Sequence, residues 1–108
     1  IILNSEPCIS IIIPFYNAKS YIENCLDAVK KQDFDKPFEV LMVNDGSTDN
    51  SLDIVESYNY SKIKLYSLSE NSGPSAARNV GITNAKGKYI FLLDVDDTIS
   101  PEFFKKIV

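Results

Sequence analysis

Ile9 to Ile13 is a nearly unbroken apolar run that ends at Pro14, the pattern of a strand buried on both faces, placed at about 9–13. From Asn17 the period changes. Tyr21/Ile22, Cys25/Leu26 and Val29 recur at helical spacing, with Lys19, Glu23, Asp27 and Lys30 facing out. This predicts a helix over about 18–31 with Asn17 as its N-cap and Tyr21 on its buried face. Asp33 to Pro37 breaks the chain, and a second strand follows at about 38–43. It ends in Asn44-Asp45-Gly46-Ser47, a turn that caps a helix over about 49–58. A shorter third strand is read at about 63–68. Ser72-Gly73-Pro74 then starts a helix over about 73–85, Gly87 closes it, and the fourth strand runs over about 88–93. Ser100-Pro101-Glu102 opens a last helix over about 101–108, with Phe103, Phe104, Ile107 and Val108 as its buried stripe.

Strand and helix alternate four times, the signature of an α/β fold with a mostly parallel sheet and right-handed crossovers. No internal repeat or linker interrupts the 108 residues, which allow one domain with a modest core. The last helix stops on an apolar residue after two turns, and its face wants a partner. Residues 1–108 are therefore expected to be the front part of a larger domain, its remainder lying after Val108. Since the first residue is Ile1, the chain is also expected to be a processed or excised piece.

Composition removes some functions. A formal charge of -4, with eleven scattered basic residues, argues against a nucleic-acid groove. No apolar run approaches the length of a membrane span, and no signal peptide is visible. Cys8 and Cys25 share neither metal nor redox spacing, and read as reduced core thiols suited to a reducing compartment.

In a parallel sheet, ligands bind beyond the C-terminal ends of the strands. Each unusual cluster falls there: Pro14-Phe15-Tyr16-Asn17 after strand one, Asn44-Asp45-Gly46-Ser47 after strand two, Asp94-Val95-Asp96-Asp97 after strand four. Three carboxylates in a chain without histidine repel one another, and a divalent cation shared with a phosphorylated ligand relieves this. Ser72-Gly73-Pro74 offers a helix N-terminus, whose N–H groups favour an anion. Tyr16 reads equally as a core aromatic or as a wall against a base. Arg78, among Ala76, Ala77 and Val80, is suited either to a nucleotide or to one of the acids. Neither a G-x-G-x-x-G nor a G-x-x-x-x-G-K loop is present.

Four segments in order carry a resemblance. They are Ser10-Ile11-Ile12-Ile13-Pro14-Phe15-Tyr16-Asn17, Val43-Asn44-Asp45-Gly46-Ser47-Thr48-Asp49, Glu70 to Gly81 through Gly73-Pro74-Ser75-Ala76-Ala77-Arg78-Asn79, and Phe91-Leu92-Leu93-Asp94-Val95-Asp96-Asp97. Together they resemble the N-terminal part of an inverting family-2 glycosyltransferase. The resemblance implies a truncated three-layer α/β/α, Rossmann-like GT-A fold. It implies a base pocket from Pro14, Phe15 and Tyr16, a base contact from Asp45, and Arg78 near the nucleotide. Asp94 and Asp96 match the family's D-x-D motif, with Asp94 on the ribose side, Asp96 as the direct ligand of Mn²⁺ or Mg²⁺, and Asp97 in a supporting place. The cofactor would stabilise charge on the departing diphosphate. The donor would be a nucleotide-diphosphate sugar, UDP-linked first and GDP- or dTDP-linked behind it. The acceptor would be a saccharide or lipid-linked glycan of polysaccharide biosynthesis. The family commonly works in the cytoplasm, at the inner face of a membrane, reached here through regions outside the chain. Its catalytic base is expected downstream of Val108, so the 108 residues are expected to be inactive alone.

Two other readings compete. A sugar nucleotidyltransferase shares the α/β sheet and acidic metal site but calls for a glycine-rich basic loop after strand one. A non-catalytic nucleotide-sugar-binding module would keep the loops and lack the chemistry.

Overall fold

A computed structural model describes residues 7–108; the span read from residue 1 thus includes six positions outside the described residues. Eight elements alternate along the described residues: β1 (Ile9–Phe15), α1 (Ile22–Lys30), β2 (Phe38–Asn44), α2 (Ser51–Ser57), β3 (Ile63–Ser67), α3 (Pro74–Asn84), β4 (Tyr89–Leu92) and α4 (Phe103–Ile107). The four strands form one parallel sheet in the order β3-β2-β1-β4. After two crossovers to one side of β1, the chain passes through α3 and adds β4 on the other side. The direction of winding therefore reverses at β1, and a crevice opens above the ends of β1 and β4.

Strand pleating sorts the core into two layers. Ile9, Ile11, Ile13 and Phe15 of β1 join Phe38, Val40 and Met42 of β2 under Ile22, Cys25, Leu26 and Val29 of α1, all buried. On the opposite face Ile12 meets α3, so closely that a Cβ at Gly81 would run into its Cγ2. This is the three-layer α/β/α arrangement. Pro14 fits inside β1 because its nitrogen faces β4, where pairing has ended at Ile12↔Leu92.

Two expectations fail locally. The first helix begins at Ile22 rather than near 18, and Asn17 is not its N-cap. Residues 18–21 form a turn instead, with Ala18 carbonyl accepting from the Tyr21 and Ile22 N–H groups at 2.9 and 3.2 Å. The last helix is also shorter than expected. Phe104 is fully buried, its ring edge-on to Phe34 and Phe38, while Ile107 and Val108 are exposed. Gln32 fastens this segment, accepting from the Phe104 N–H at 2.9 Å and donating to the Ser100 carbonyl at 2.7 Å.

The buried carboxylate of Glu39 ties three strands and the connection into the fourth. It accepts from Ser10 Oγ of β1 at 2.5 Å, Lys64 Nζ of β3 at 2.7 Å and the Lys86 N–H before β4 at 2.7 Å. Burial alone would raise its pKa, but the bonds from Lys64, Ser10 and Lys86 outweigh that and hold it below the ordinary carboxylate range. A depressed folded pKa contributes stability that is complete above the unfolded value and lost as pH falls through the folded one. Glu39→Gln is accordingly expected to flatten the fall in urea midpoint below about pH 5. Equal slopes for the two proteins would contradict this role.

The outer edge of β4 is unpaired among the described residues. Ile90 and Leu92 are exposed on the face where α3 packs mainly on β1 and β2, and Tyr89 is exposed on the opposite face.

Candidate functional site

Four connections converge above the C-terminal strand ends. The first two are sewn together by Asn17, which adopts a left-handed backbone (φ 48°) suited to asparagine. Its Oδ1 accepts from the Thr48 and Asp49 N–H groups at 2.7 and 3.1 Å, and its own N–H donates to Ser47 Oγ at 3.0 Å. Next to it, the Ala18 N–H donates to buried Ser51 Oγ at 2.8 Å, and Ser51 Oγ donates to Asp49. The polar run after β2 thus fixes the run after β1.

Asp45 joins the third connection to the second. Its carboxylate is buried, with Oδ1 accepting from the Ser72 N–H at 2.8 Å and Oδ2 from the Gly73 N–H at 3.1 Å. Asn71 Nδ2 adds a long bond of 3.4 Å to Oδ2. The N–H groups ahead of α3, expected to await an external anion, are therefore met by the chain's own carboxylate. Asp45→Ala would take the charged acceptor from both part-buried N–H groups and is expected to cost about 1–3 kcal/mol, the range for hydrogen bonds to a charged group. Asp45→Asn, which keeps one acceptor, should cost less. Equilibrium urea unfolding measures both, and an alanine variant of unchanged stability would contradict the latch.

Above these loops lies a cleft of about 350 Å³. Pro14, Phe15, Tyr16, Asp45, Arg78, Asp94 and Asp96, the seven positions singled out in the sequence, all line it. They are not equivalent. Phe15 is buried in the core, Tyr16 is 46% exposed at the rim, and Asp45 forms the wall on the β2 side. Asp94 and Asp96 are exposed on the β4 side, and Arg78 is half-buried on α3. Arg78 pairs with none of the acids: the ion pairs among the described residues are Lys64–Glu39 and Lys105–Asp33.

The carboxylates of Asp94, Asp96 and Asp97 bring one oxygen each to within 4.8 Å of one another. A turn produces this, closed by the Asp97 N–H donating to the Asp94 carbonyl at 3.0 Å. Three hard oxygen donors, exposed and of like charge, suit a divalent cation that keeps part of its coordination for water or phosphate. Asp97, expected only in support, comes to the same cluster, though not to the cleft wall. Cys25 lies behind. Burial, with the charges of Asp97 and Asp96, pushes its thiol up to about 12, so it stays protonated.

The cleft also contains Tyr21, which the sequence placed on the buried face of α1. It is 51% exposed, standing at the start of the helix beside Ala18 and Val95. Its place directly after the β1 loop, at the end of the sheet where the clusters gather, was the available signal.

A family model described as "Glycosyl transferase family 2" matches residues 10–108. The chain is 41% identical over 105 residues to Glycosyltransferase GlyA of Streptococcus pneumoniae, covering 93% of the chain and 15% of GlyA. It is 44% identical over 99 residues to the poly(ribitol-phosphate) beta-N-acetylglucosaminyltransferase TarS of Staphylococcus aureus, covering 89% of the chain and 17% of TarS. The chain thus spans about a sixth of the length of these relatives. The crystal structure of TarS in complex with UDP superposes with a TM-score of 0.86 at 42% identity, over 92% of this chain and 30% of that one. The mannosyltransferase PcManGT of Pyrobaculum calidifontis, solved with GDP-Man and Mn²⁺, superposes with a TM-score of 0.79 at 28% identity, over 86% and 28%.

Proposed function

The chain belongs to glycosyl transferase family 2, and from that premise we propose that it is the donor-binding front of an inverting glycosyltransferase. The enzyme moves a sugar from a nucleotide-diphosphate sugar to a saccharide or lipid-linked acceptor. One observation carries the reading: seven residues from four separate segments line a single cleft where the sheet reverses its winding.

The cleft has two ends, set by strand order. On the β2 side, Pro14, Phe15, Tyr16 and Asp45 receive the base. Asp45 has acceptor capacity left beyond its two backbone bonds, and a base imide N–H in place of the long Asn71 contact would use it. UDP stands ahead of GDP and dTDP because TarS, the more similar of the two solved relatives, was crystallised with UDP. On the β4 side, Asp94 meets the ribose, and Asp96 holds Mn²⁺ or Mg²⁺ with Asp94 and Asp97 nearby. A divalent cation held there would supply Lewis-acid stabilisation of negative charge on the diphosphate. Arg78, a guanidinium without an ion-pair partner among the described residues, adds positive charge against the same group.

Inversion needs a carboxylate that takes the acceptor's hydroxyl proton. We place that base, and the acceptor pocket, in sequence after Val108. The exposed edge of β4, with Tyr89, Ile90 and Leu92 uncovered, supports residues 7–108 being part of a larger domain. Among the described residues no helix is long and apolar enough to cross a membrane, and we assign any membrane contact to other regions. Titrating the purified chain with UDP, GDP and dTDP in Mn²⁺ tests the reading. A preference for UDP over GDP is expected, and equal affinities for these two would contradict the imide contact at Asp45; dTDP carries the same imide N–H.

A further inference from the structure

Tyr21 is the large cleft residue to which the donor reading gives no role. Its backbone is held firmly. The N–H donates to the Ala18 carbonyl at 2.9 Å, the carbonyl accepts from the Cys25 N–H at 3.0 Å, and Ala18 is itself fastened to Ser51. Its side chain is free by contrast. Among the described residues its ring pairs with no other aromatic, whereas Tyr58 packs on Tyr60 and donates its hydroxyl to Asp27 at 2.5 Å. It caps nothing, although it occupies the N-cap position of α1. A rigidly based aromatic, half-exposed in a cleft of mixed apolar and charged lining and without an aromatic partner, is a surface for a ligand.

The fold says which part of the ligand. Cys25, one turn along α1 from Tyr21, belongs to the same apolar cluster as Leu93, with Val95 packed against it. Tyr21 itself lines the cleft together with Val95 and Asp96. Tyr21 therefore shares the cleft with the acids after β4, whose charges reach Cys25 one turn along α1, while Asp45 and the loop that Asp45 holds close the β2 side. A nucleotide-sugar that puts its base at Asp45 and its diphosphate at Asp94 and Asp96 carries its sugar past them, toward Tyr21. Pyranose rings present a face of C–H groups, which suits the negatively charged face of an aromatic ring.

Resting on the donor-site reading, we infer that Tyr21 is a specificity-determining residue whose ring forms the platform for the transferred sugar, apart from the base and diphosphate. Its contribution lies in the ratio of affinities for a UDP-sugar and for UDP, not in the affinity for UDP.

The probes are UDP, UDP-glucose and UDP-N-acetylglucosamine, titrated calorimetrically in Mn²⁺ into the wild-type chain, Tyr21→Phe and Tyr21→Leu. Circular dichroism confirms that each variant folds, as expected for an exposed position. In Tyr21→Leu the UDP-sugar to UDP affinity ratio should fall about fivefold for the better-bound sugar, with UDP itself within about twofold of wild type. Tyr21→Phe, which keeps the ring, should retain most of the ratio. An unchanged ratio in Tyr21→Leu, whether both affinities hold or both weaken together, overturns the inference. A wild-type chain that binds none of the three removes the donor-site reading and this inference with it. That outcome is distinct from wild-type binding with an unmoved ratio, which removes the Tyr21 role alone.

Discussion

Asp96→Asn should lower the Mn²⁺-supported affinity for UDP by at least about tenfold, while leaving the thermal transition in place. The substitution keeps side-chain size and removes one negative charge from a cluster of three. A neutral amide oxygen is a poorer donor to a hard cation, and disturbance of even the outer groups around a metal costs about 10–100-fold. The fold is spared because Asp96 is exposed on a turn and is neither the donor nor the acceptor in the bond that closes it, from the Asp97 N–H to the Asp94 carbonyl. Relieving repulsion among the three acids could even raise stability slightly in the absence of metal. Calorimetry in Mn²⁺ and in a chelator separates the two effects. Undiminished Mn²⁺-dependent affinity would remove Asp96 as a metal ligand.

Gly46→Ala should unfold the site from the other side. Gly46 has φ +70°, and a Cβ there would strike the backbone nitrogen of Asn71 and the carbonyl carbon of Glu70, with Glu70 Cα at 2.8 Å. Every atom it meets is backbone, so no side chain can turn aside. The left-handed conformation alone costs an alanine about 1–2 kcal/mol. Displacing residues 70–71 would also pull the part-buried Ser72 and Gly73 N–H groups from Asp45, at about 1–3 kcal/mol for hydrogen bonds to a charged acceptor. The combined loss, on the order of 3 kcal/mol, corresponds to a fall in Tm of more than about 10 °C in a domain of this size. Gly73→Ala is the comparison: its φ of +96° with ψ of 161° is a conformation kept essentially to glycine, costing an alanine about 1–3 kcal/mol, but nothing lies within 4 Å of the added carbon. Its Tm should fall less. Equal falls would show that conformation, rather than contact with residues 70–71, limits both sites.

The order of elements and the position of the cleft could be read from the chain because both rest on local signals. The apolar runs of Ile9–Ile13 and Phe38–Val43, the helical spacing of Ile22, Cys25, Leu26 and Val29, and the acids after Leu93 need no partner to be recognised. What stayed hidden depends on register and on distant neighbours. Asn17 has the chemistry of an N-cap, and only the approach of β2's loop shows that it serves Thr48 and Asp49 instead. Glu39 sits in an otherwise apolar strand, and its stability requires Ser10 and Lys64, brought alongside by the pairings Ser10↔Glu39 and Leu41↔Lys64. The N–H groups of Ser72 and Gly73 looked open to a ligand because their acceptor, Asp45, lies 27 and 28 residues earlier. Tyr21 fitted the apolar stripe by spacing, but α1 starts one residue after it, and the turn of residues 18–21 directs it into the cleft.

The central claim is that the four loops form a metal-assisted nucleotide site. Its most direct test is calorimetric titration of the purified chain with UDP, once in Mn²⁺ and once in a chelator. The account predicts saturable binding in Mn²⁺ that weakens at least about tenfold without it. A chain that unfolds cooperatively and binds UDP equally well in both conditions, or in neither, would contradict it.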